Sequence, residues 1–297
     1  MSRKLNLITA TILTLYTSFT LVDTFMLQHS GTAIATSTKQ VKTTVKKETS
    51  SVKTTATSYE DSHMKIKVTT ERVSGTSVYV ADITVDDPSL LQTALANNTY
   101  GRNYTETTSS MASDHQAIFA VNGDYYGFRD TGYVVRNGTL YRDTAAADTD
   151  ALVIDSDGNM KSVNQTDTSA STLLKDGAQQ VLSFGPTLVE NSKVTVSESE
   201  EVGQSQASNP RTAIGQVGKN HYIVVVSDGR TSESTGLSLY QLANVMADHG
   251  ATYAYNLDGG GSSTMVLNGK VINNPVGGSG QSSERAVSDM LYFGYAN

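Results

Sequence analysis

Cysteine and tryptophan are both absent from the 297 residues. The first absence excludes disulfides, zinc–thiolate sites and a cysteine nucleophile, and leaves export possible. The second leaves any stacking on a sugar ring to phenylalanine and to the 15 tyrosines. Signatures of several common chemistries are also missing. There is no His/Glu cluster with zinc spacing, no phosphate loop with its lysine, no Gly-x-Ser-x-Gly elbow and no EF-hand loop. Positive charge is scarce over most of the chain. Residues 1–58 carry seven basic and two acidic side chains, whereas the remainder carries 15 basic and 27 acidic ones. An acidic domain argues against general nucleic-acid binding. It also repels anionic polymers, so local arginines or a bound cation would have to overcome that repulsion. Carboxylate-bound Ca²⁺ is one candidate for the cation, although the sequence requires no cofactor and specifies no metal site.

What is present begins with Arg3 and Lys4 ahead of an apolar run, Leu5 to Val22. Residues 1–29 therefore read as a signal peptide or an N-terminal membrane anchor. Ala33-Ile34-Ala35 has the form of a cleavage site, but it lies well beyond the run, which favours the uncleaved anchor. Basic residues before the run keep that end in the cytoplasm. Both alternatives are extracytoplasmic, with the domain anchored at the cell surface or secreted. Residues 30–61, rich in Thr, Ser and Lys, bury too little apolar surface to offset ordering entropy and read as a flexible linker. The folded domain is expected over 62–297, long enough for a sizeable core.

Alternation predicts strands at Lys65 to Thr70, Val78 to Val85, Ala117 to Val121, Tyr133 to Arg136, Ala151 to Ile154, His221 to Ser227, Thr252 to Leu257, Met265 to Leu267 and Met290 to Phe293. Asn137-Gly138 and Asn268-Gly269 are hairpin signals. Ser238 and Gln241 form a capping pair ahead of an apolar stripe, and Gly250 stops that helix. Asp87-Pro88 opens a second, short helix through Leu95. The segment 114–124, DHQAIFAVNGD, echoes 248–258, DHGATYAYNLD. Each reads helix, strand, Asn-x-Asp turn, hairpin. The fold expected is α+β, with largely antiparallel or mixed sheets, flanking helices and an internal duplication into pseudo-twofold halves. Such an arrangement would bring Asp124 and Asp258 towards one cleft.

The candidate chemistry gathers at strand ends. Asp258 lies in NLDGGGSSTM, where a carboxylate meets a glycine run and hydroxyls; Gly259, Gly260 and Ser262 belong to the same turn. Asn256 and Asn122 are counterparts in the echo. Asp124 is followed by Tyr125, Tyr126 and Phe128, and a plain Asx turn accounts for it equally well. Arg211, in NPRTAIG, offers a guanidinium fork for phosphate or a structural ion pair. Asp228 and Arg230 emerge from a strongly apolar strand, and Arg285 precedes the last one. His115 and His249 stand at helix ends, where capping alone explains a histidine.

AVNGDYYGF (120–128), NPRTAIG (209–215), VVVSDGR (224–230), GLSLYQLANVMADHG (236–250), NLDGGGSSTMVLNG (256–269) and ERAVSDMLYF (284–293), in this order and spacing, resemble the phosphodiester glycosidase family. The resemblance runs from about residue 75 to the end. It implies hydrolysis at the anomeric carbon of a sugar-1-phosphodiester, giving free sugar and a phosphomonoester, with cell-envelope phosphoglycan or exopolysaccharide as the substrate. A non-catalytic envelope module of the same fold is the alternative. The family pattern has Asn-Gly-Gly or Asn-Ala-Gly where this chain has Asn122-Gly123-Asp124. The resemblance carries over Asp258, Asp228 and Arg211 as catalytic, with Asn122 and Gly259 to Ser262 at the substrate. Asp124, Tyr126, Arg230, Asn256 and Arg285 complete the expected binding set. In that scheme Arg211, Asn122 and the N–H groups of the glycine run stabilise the departing phosphate. Asp258 or Asp228 faces the oxocarbenium-like carbon or activates water.

Overall fold

The structure is a computed structural model and describes residues 14, 17, 20, 22, 26–37, 52–198, 207–277 and 282–295. Every strand pairing among these residues is antiparallel. A nine-stranded sheet is the backbone of the domain, with a six-stranded and a five-stranded sheet beside it. At its centre His221–Ser227 pairs with Arg211–Gly218 on one side and Thr76–Val85 on the other. Its continuous apolar run, Tyr222 to Val226, reflects cover on both faces. Tyr222, Val224 and Val226 enter the main core with Phe119, Leu152, Leu182, Met265 and Phe293 from the two smaller sheets. Ile223 and Val225 point the other way, against Leu242 and Met246 of a helix.

Among the described residues from 52 on, three α-helices cover outer faces: α1 (Thr108–Asp114), α2 (Ala170–Lys175) and α3 (Leu239–Asp248). α3 begins with the expected capping box between Ser238 and Gln241, and Gly250 follows it at φ 83°. His115 and His249 are the C-caps of α1 and α3, which is the capping role. Both Asn-Gly pairs have positive φ at each residue, as a type I′ hairpin requires. The helix expected after Asp87-Pro88 is a single 3₁₀ turn, Pro88–Leu90. Leu91–Leu95 is a strand, drawn into the sheet by pairing with Asp289–Phe293; tertiary pairing overrides the local helix signal.

The N-terminal region also departs from a simple tether. His29–Ser30 pairs with Gly101–Arg102, and Ala35–Thr36 pairs with Thr139–Leu140. Lys53–Thr54 and Ser58–Glu60 extend the nine-stranded sheet, and Tyr59 is buried in the main core. Backbone pairing thus begins at His29, the last residue of the span expected to be signal or anchor, and continues into the span expected to be linker. The run Leu5 to Val22 lies largely outside the described residues, as do residues 38–51. Among the described residues no helix is long and apolar enough to cross a membrane.

Candidate active site

Two strand ends meet to make the site. Phe119–Asn122 and Tyr253–Leu257 each follow a helix, and each gives way to a 3₁₀ turn and a hairpin. They belong to different sheets, yet their ends are bonded. Asn122 Nδ2 donates to the Asp258 carbonyl at 2.7 Å, and the Asp258 N–H donates to Gly123 O at 3.2 Å. Asn122 Oδ1 accepts from Thr212 Oγ1 at 2.9 Å and from the Thr264 N–H at 3.3 Å. Asn122 is fully buried, so it ties the two ends together beneath the surface and does not reach a ligand. The echo is a recurrence of element order; a duplication is not shown by it.

Asp258 sits on the cleft side of this junction. Its carboxylate accepts from the Gly259 N–H at 2.9 Å, from Ser262 Oγ at 2.6 Å and from Arg285 Nη2 at 2.8 Å. Burial pushes its pKa above the usual carboxylate range, and the Arg285 charge opposes that rise. Arg285 Nε also donates to Ser262 Oγ at 2.9 Å. Two N–H groups of the glycine run are spent locally: Gly259 on Asp258, Gly260 on Pro210 O at 2.8 Å. These two do not join the expected phosphate cradle. What the glycines permit is close approach. A Cβ on Gly259 would lie 2.8 Å from Pro210 O, and one on Gly260, at φ 63°, would lie 2.9 Å from Nη2 of Arg230.

The other expected acids are occupied. Asp124 makes the Asx turn to the Tyr126 N–H at 2.9 Å. Its second oxygen accepts from Arg136 Nη2 and from the Ser183 N–H, both at 2.9 Å. Arg136 also reaches Asp289 at 2.8 Å, and all three side chains are buried. Asp124 is therefore a buried ion-pair partner of Arg136, and it still lines a cavity together with Asp258. Burial, reinforced by the Asp124 charge, pushes Asp289 up to about 8. Asp228 accepts from the Asn274 N–H at 2.8 Å and Tyr79 Oη at 3.1 Å. Its pKa is raised by burial, and it fastens the 273–274 segment, whose Asn273 holds Ser263 O and the Met265 N–H. It does not line the cavities beside Asp258. Tyr126, expected at the ligand, is buried, stacked on Tyr100 with centroids 5.4 Å apart.

Two adjoining cavities share Tyr125, Asp258 and Arg285. One, of about 460 Å³, adds Asp124, Phe128, Asn103, Ser262 and Val287. The other, of about 660 Å³, adds Arg129, Phe184, Arg211, Arg230 and Asn256. Both volumes suit small-molecule ligands. The larger cavity is lined by four arginines and, among the described residues, one carboxylate, Asp258. Arg211 Nε and Nη2 donate to the carbonyls of Leu237 and Ala207 at 3.0 and 2.8 Å, which fixes its fork at the wall. Asn256 Nδ2 donates to Gly185 O at 2.7 Å, while its buried Oδ1 has no partner. Arg129 and Phe184 escaped the sequence reading. Phe128-Arg129, an aromatic–arginine pair just after the Asn-x-Asp turn, was the available signal. Among the described residues no group of three or more His, Asp or Glu side chains is placed to hold a metal ion.

Comparison with known proteins bears on the family and the fold. The sequence profile of the phosphodiester glycosidase family matches residues 115–294. The SPbeta prophage-derived uncharacterized protein YomE of Bacillus subtilis is 34% identical over 203 residues, covering 66% of this chain and 31% of that protein. Human N-acetylglucosamine-1-phosphodiester α-N-acetylglucosaminidase is 33% identical over 108 residues, covering 32% of this chain and 21% of that enzyme. The chain thus spans about a third or less of these relatives. The catalytic domain of the zebrafish enzyme of the same name superposes with a TM-score of 0.61 at 22% identity, covering 77% of this chain and 82% of that one. That likeness is one of fold. With the profile spanning more than half its length, the chain belongs to the phosphodiester glycosidase family.

Proposed function

We propose that the protein is a hydrolase that cleaves the sugar C1–O bond of a sugar-1-phosphodiester, acting outside the cytoplasm on cell-envelope phosphoglycan or exopolysaccharide. The observation that carries this reading is a cleft in an acidic domain whose lining holds four arginines around one carboxylate. Ordinary glycoside hydrolysis uses two carboxyl groups, one to protonate a poor leaving group. A departing phosphomonoester has a second pKa of about 6 and leaves with little acid help. One carboxylate then suffices, and Asp258 takes that place; Asp124, which also lines the smaller cavity, is paired with the buried Arg136.

In this mechanism the positive charges of Arg285 and of the wall-fixed Arg211 face the scissile phosphate and stabilise charge on the departing oxygen. Asp258 faces the anomeric carbon, offsets its oxocarbenium-like charge and receives the proton of the attacking water. The water oxygen bonds to C1, the C1–O bond breaks, and its electron pair leaves with the phosphate. Ser262 and Gly259 hold the carboxylate in place. The extracytoplasmic setting rests on the basic and apolar N-terminal segment.

Hydrolysis of a sugar-1-phosphodiester in ¹⁸O water tests the reading. Label in the sugar is the expected result. Label in the phosphate would instead mean P–O cleavage. Retained polymer binding with no turnover across a panel of sugars would make the chain a binding module.

A further inference from the structure

Two cationic side chains in the cleft are more than the scissile phosphate requires. Arg129 and Arg230 both line the larger cavity, and neither lines the smaller one. No carboxylate among the described residues pairs with either. Each is nevertheless held in position by neutral groups. The Arg129 guanidinium lies 5.4 Å from the Tyr125 centroid and 5.1 Å from that of Phe184. A guanidinium stacked between rings keeps its charge and presents its in-plane N–H groups at the edge. Arg230 Nε and Nη2 donate to Asn209 Oδ1 at 3.3 and 3.1 Å. It rests against Gly260, where a Cβ would crowd its Nη2.

The smaller cavity differs in kind. Tyr125 and Phe128, stacked with centroids 4.7 Å apart, form part of its wall. Hydroxyl and amide groups of Ser262, Ser288 and Asn103 lie beside them. Aromatic faces with scattered hydrogen-bonding groups suit a sugar ring. Asp258 and Arg285 stand where the two cavities join.

From this asymmetry we infer the polarity of the substrate and the class of its acceptor. The sugar occupies the cavity of Tyr125 and Phe128. The acceptor runs into the cavity of Arg129 and Arg230 and carries at least one further anionic group, phosphate or carboxylate, beyond the scissile phosphodiester. The natural substrate class is thus a sugar on a polyanionic acceptor rather than on a neutral alcohol. This inference rests on the proposed glycosidase activity.

The test compares two substrates of one sugar-1-phosphodiester, with a neutral alkyl acceptor and with a glycerol phosphate acceptor. The anionic acceptor is expected to be preferred in kcat/KM, chiefly through KM. Arg129→Gln and Arg230→Gln should each lower the ratio by about tenfold, the order of one charge-assisted hydrogen bond. Raising salt to 1 M should shrink it as well, because exposed charges are screened. Hydrolysis of both substrates with a ratio near one, or a ratio that neither substitution moves, overturns the inference and leaves the glycosidase reading standing. Turnover of neither substrate, repeated across the panel of sugars, overturns the glycosidase reading. In that case calorimetry with glycerol bisphosphate against glycerol monophosphate still decides the anionic preference of the cleft. Selective bisphosphate binding that falls in both variants supports it, and equal binding overturns it.

Discussion

The Arg285 guanidinium donates to the Asp258 carboxylate at 2.8 Å while both groups line the cleft. The pair is asymmetric. Asp258 is almost buried and Arg285 is partly open, so the arginine can turn to a ligand phosphate while Asp258 stays anchored by Ser262 and the Gly259 N–H. Asp258→Asn keeps the size but removes the charge and turns an amide NH₂ towards a donor that the carboxylate accepts from. Turnover should fall by about 10²–10⁴-fold, the range for a lost general base, in a variant that still folds with a lowered melting temperature. Near-normal rates in a folded variant would remove Asp258 from the chemistry.

The same pair predicts a pH dependence. The working form of Asp258 is the carboxylate, so activity rises with pH through its pKa. Burial raises that pKa and Arg285 lowers it. Replacing Arg285 with Gln withdraws the lowering influence, so the acid limb of kcat against pH should move to higher pH. A limb that stays put, or moves down, would mean that another group sets it. Because Arg285 also meets the phosphate, KM should rise in the same variant.

Much of the frame was legible in the sequence because alternation and capping are local. His221 to Ser227 read as a buried strand from composition alone, and Ser238 with Gln241 marked the start of α3. Leu91–Leu95 misled because its strand pairing comes from a segment about 200 residues away. The site divides along the same line. Asp258 stood out through its own neighbours, the glycines and Ser262. The fate of Asp124 was not legible from its own neighbours: its partner Arg136 lies 12 residues on, across a turn and into another sheet, and Asp289, which shares that guanidinium, is remote in sequence. Asp228 is diverted by Tyr79 and Asn274 in the same way. Strand ends bring charged groups to one region, but partners from other strands and loops decide how each of them is held.

Asn122 gives a test of positioning without ligand contact. Its amide links Asp258 to Thr212 and Thr264. Asn122→Asp replaces a donor with an acceptor against the Asp258 carbonyl, leaving a buried mismatch worth about 1–3 kcal/mol or more. Stability should drop by that order. Because the displaced element carries Asp258, kcat should fall while KM changes little. A fall confined to KM would place Asn122 at the substrate instead. Asn122→Ala, which leaves a gap without repulsion, should show the smaller loss of both stability and kcat.

The buried trio of Asp124, Arg136 and Asp289 makes a separate prediction about stability. One guanidinium faces two carboxyl groups, so one of them favours its proton, and Asp289 is pushed up to about 8 from an ordinary 3.8. The folded protein then holds a proton that the unfolded chain releases near pH 4. Stability from this source is full below that pH, declines as pH rises towards 8, and is flat beyond. Asp289→Asn mimics the protonated form and should flatten this slope in denaturant titrations run from pH 4 to 8. Arg136→Met does the reverse, because it leaves two carboxyl groups with no cation in a closed site. It should cost about 3–5 kcal/mol at neutral pH, as removal of one partner from a buried pair does, and acid should recover part of the loss. Unchanged pH slopes in both variants would show that the two carboxyl groups do not share a proton in this way.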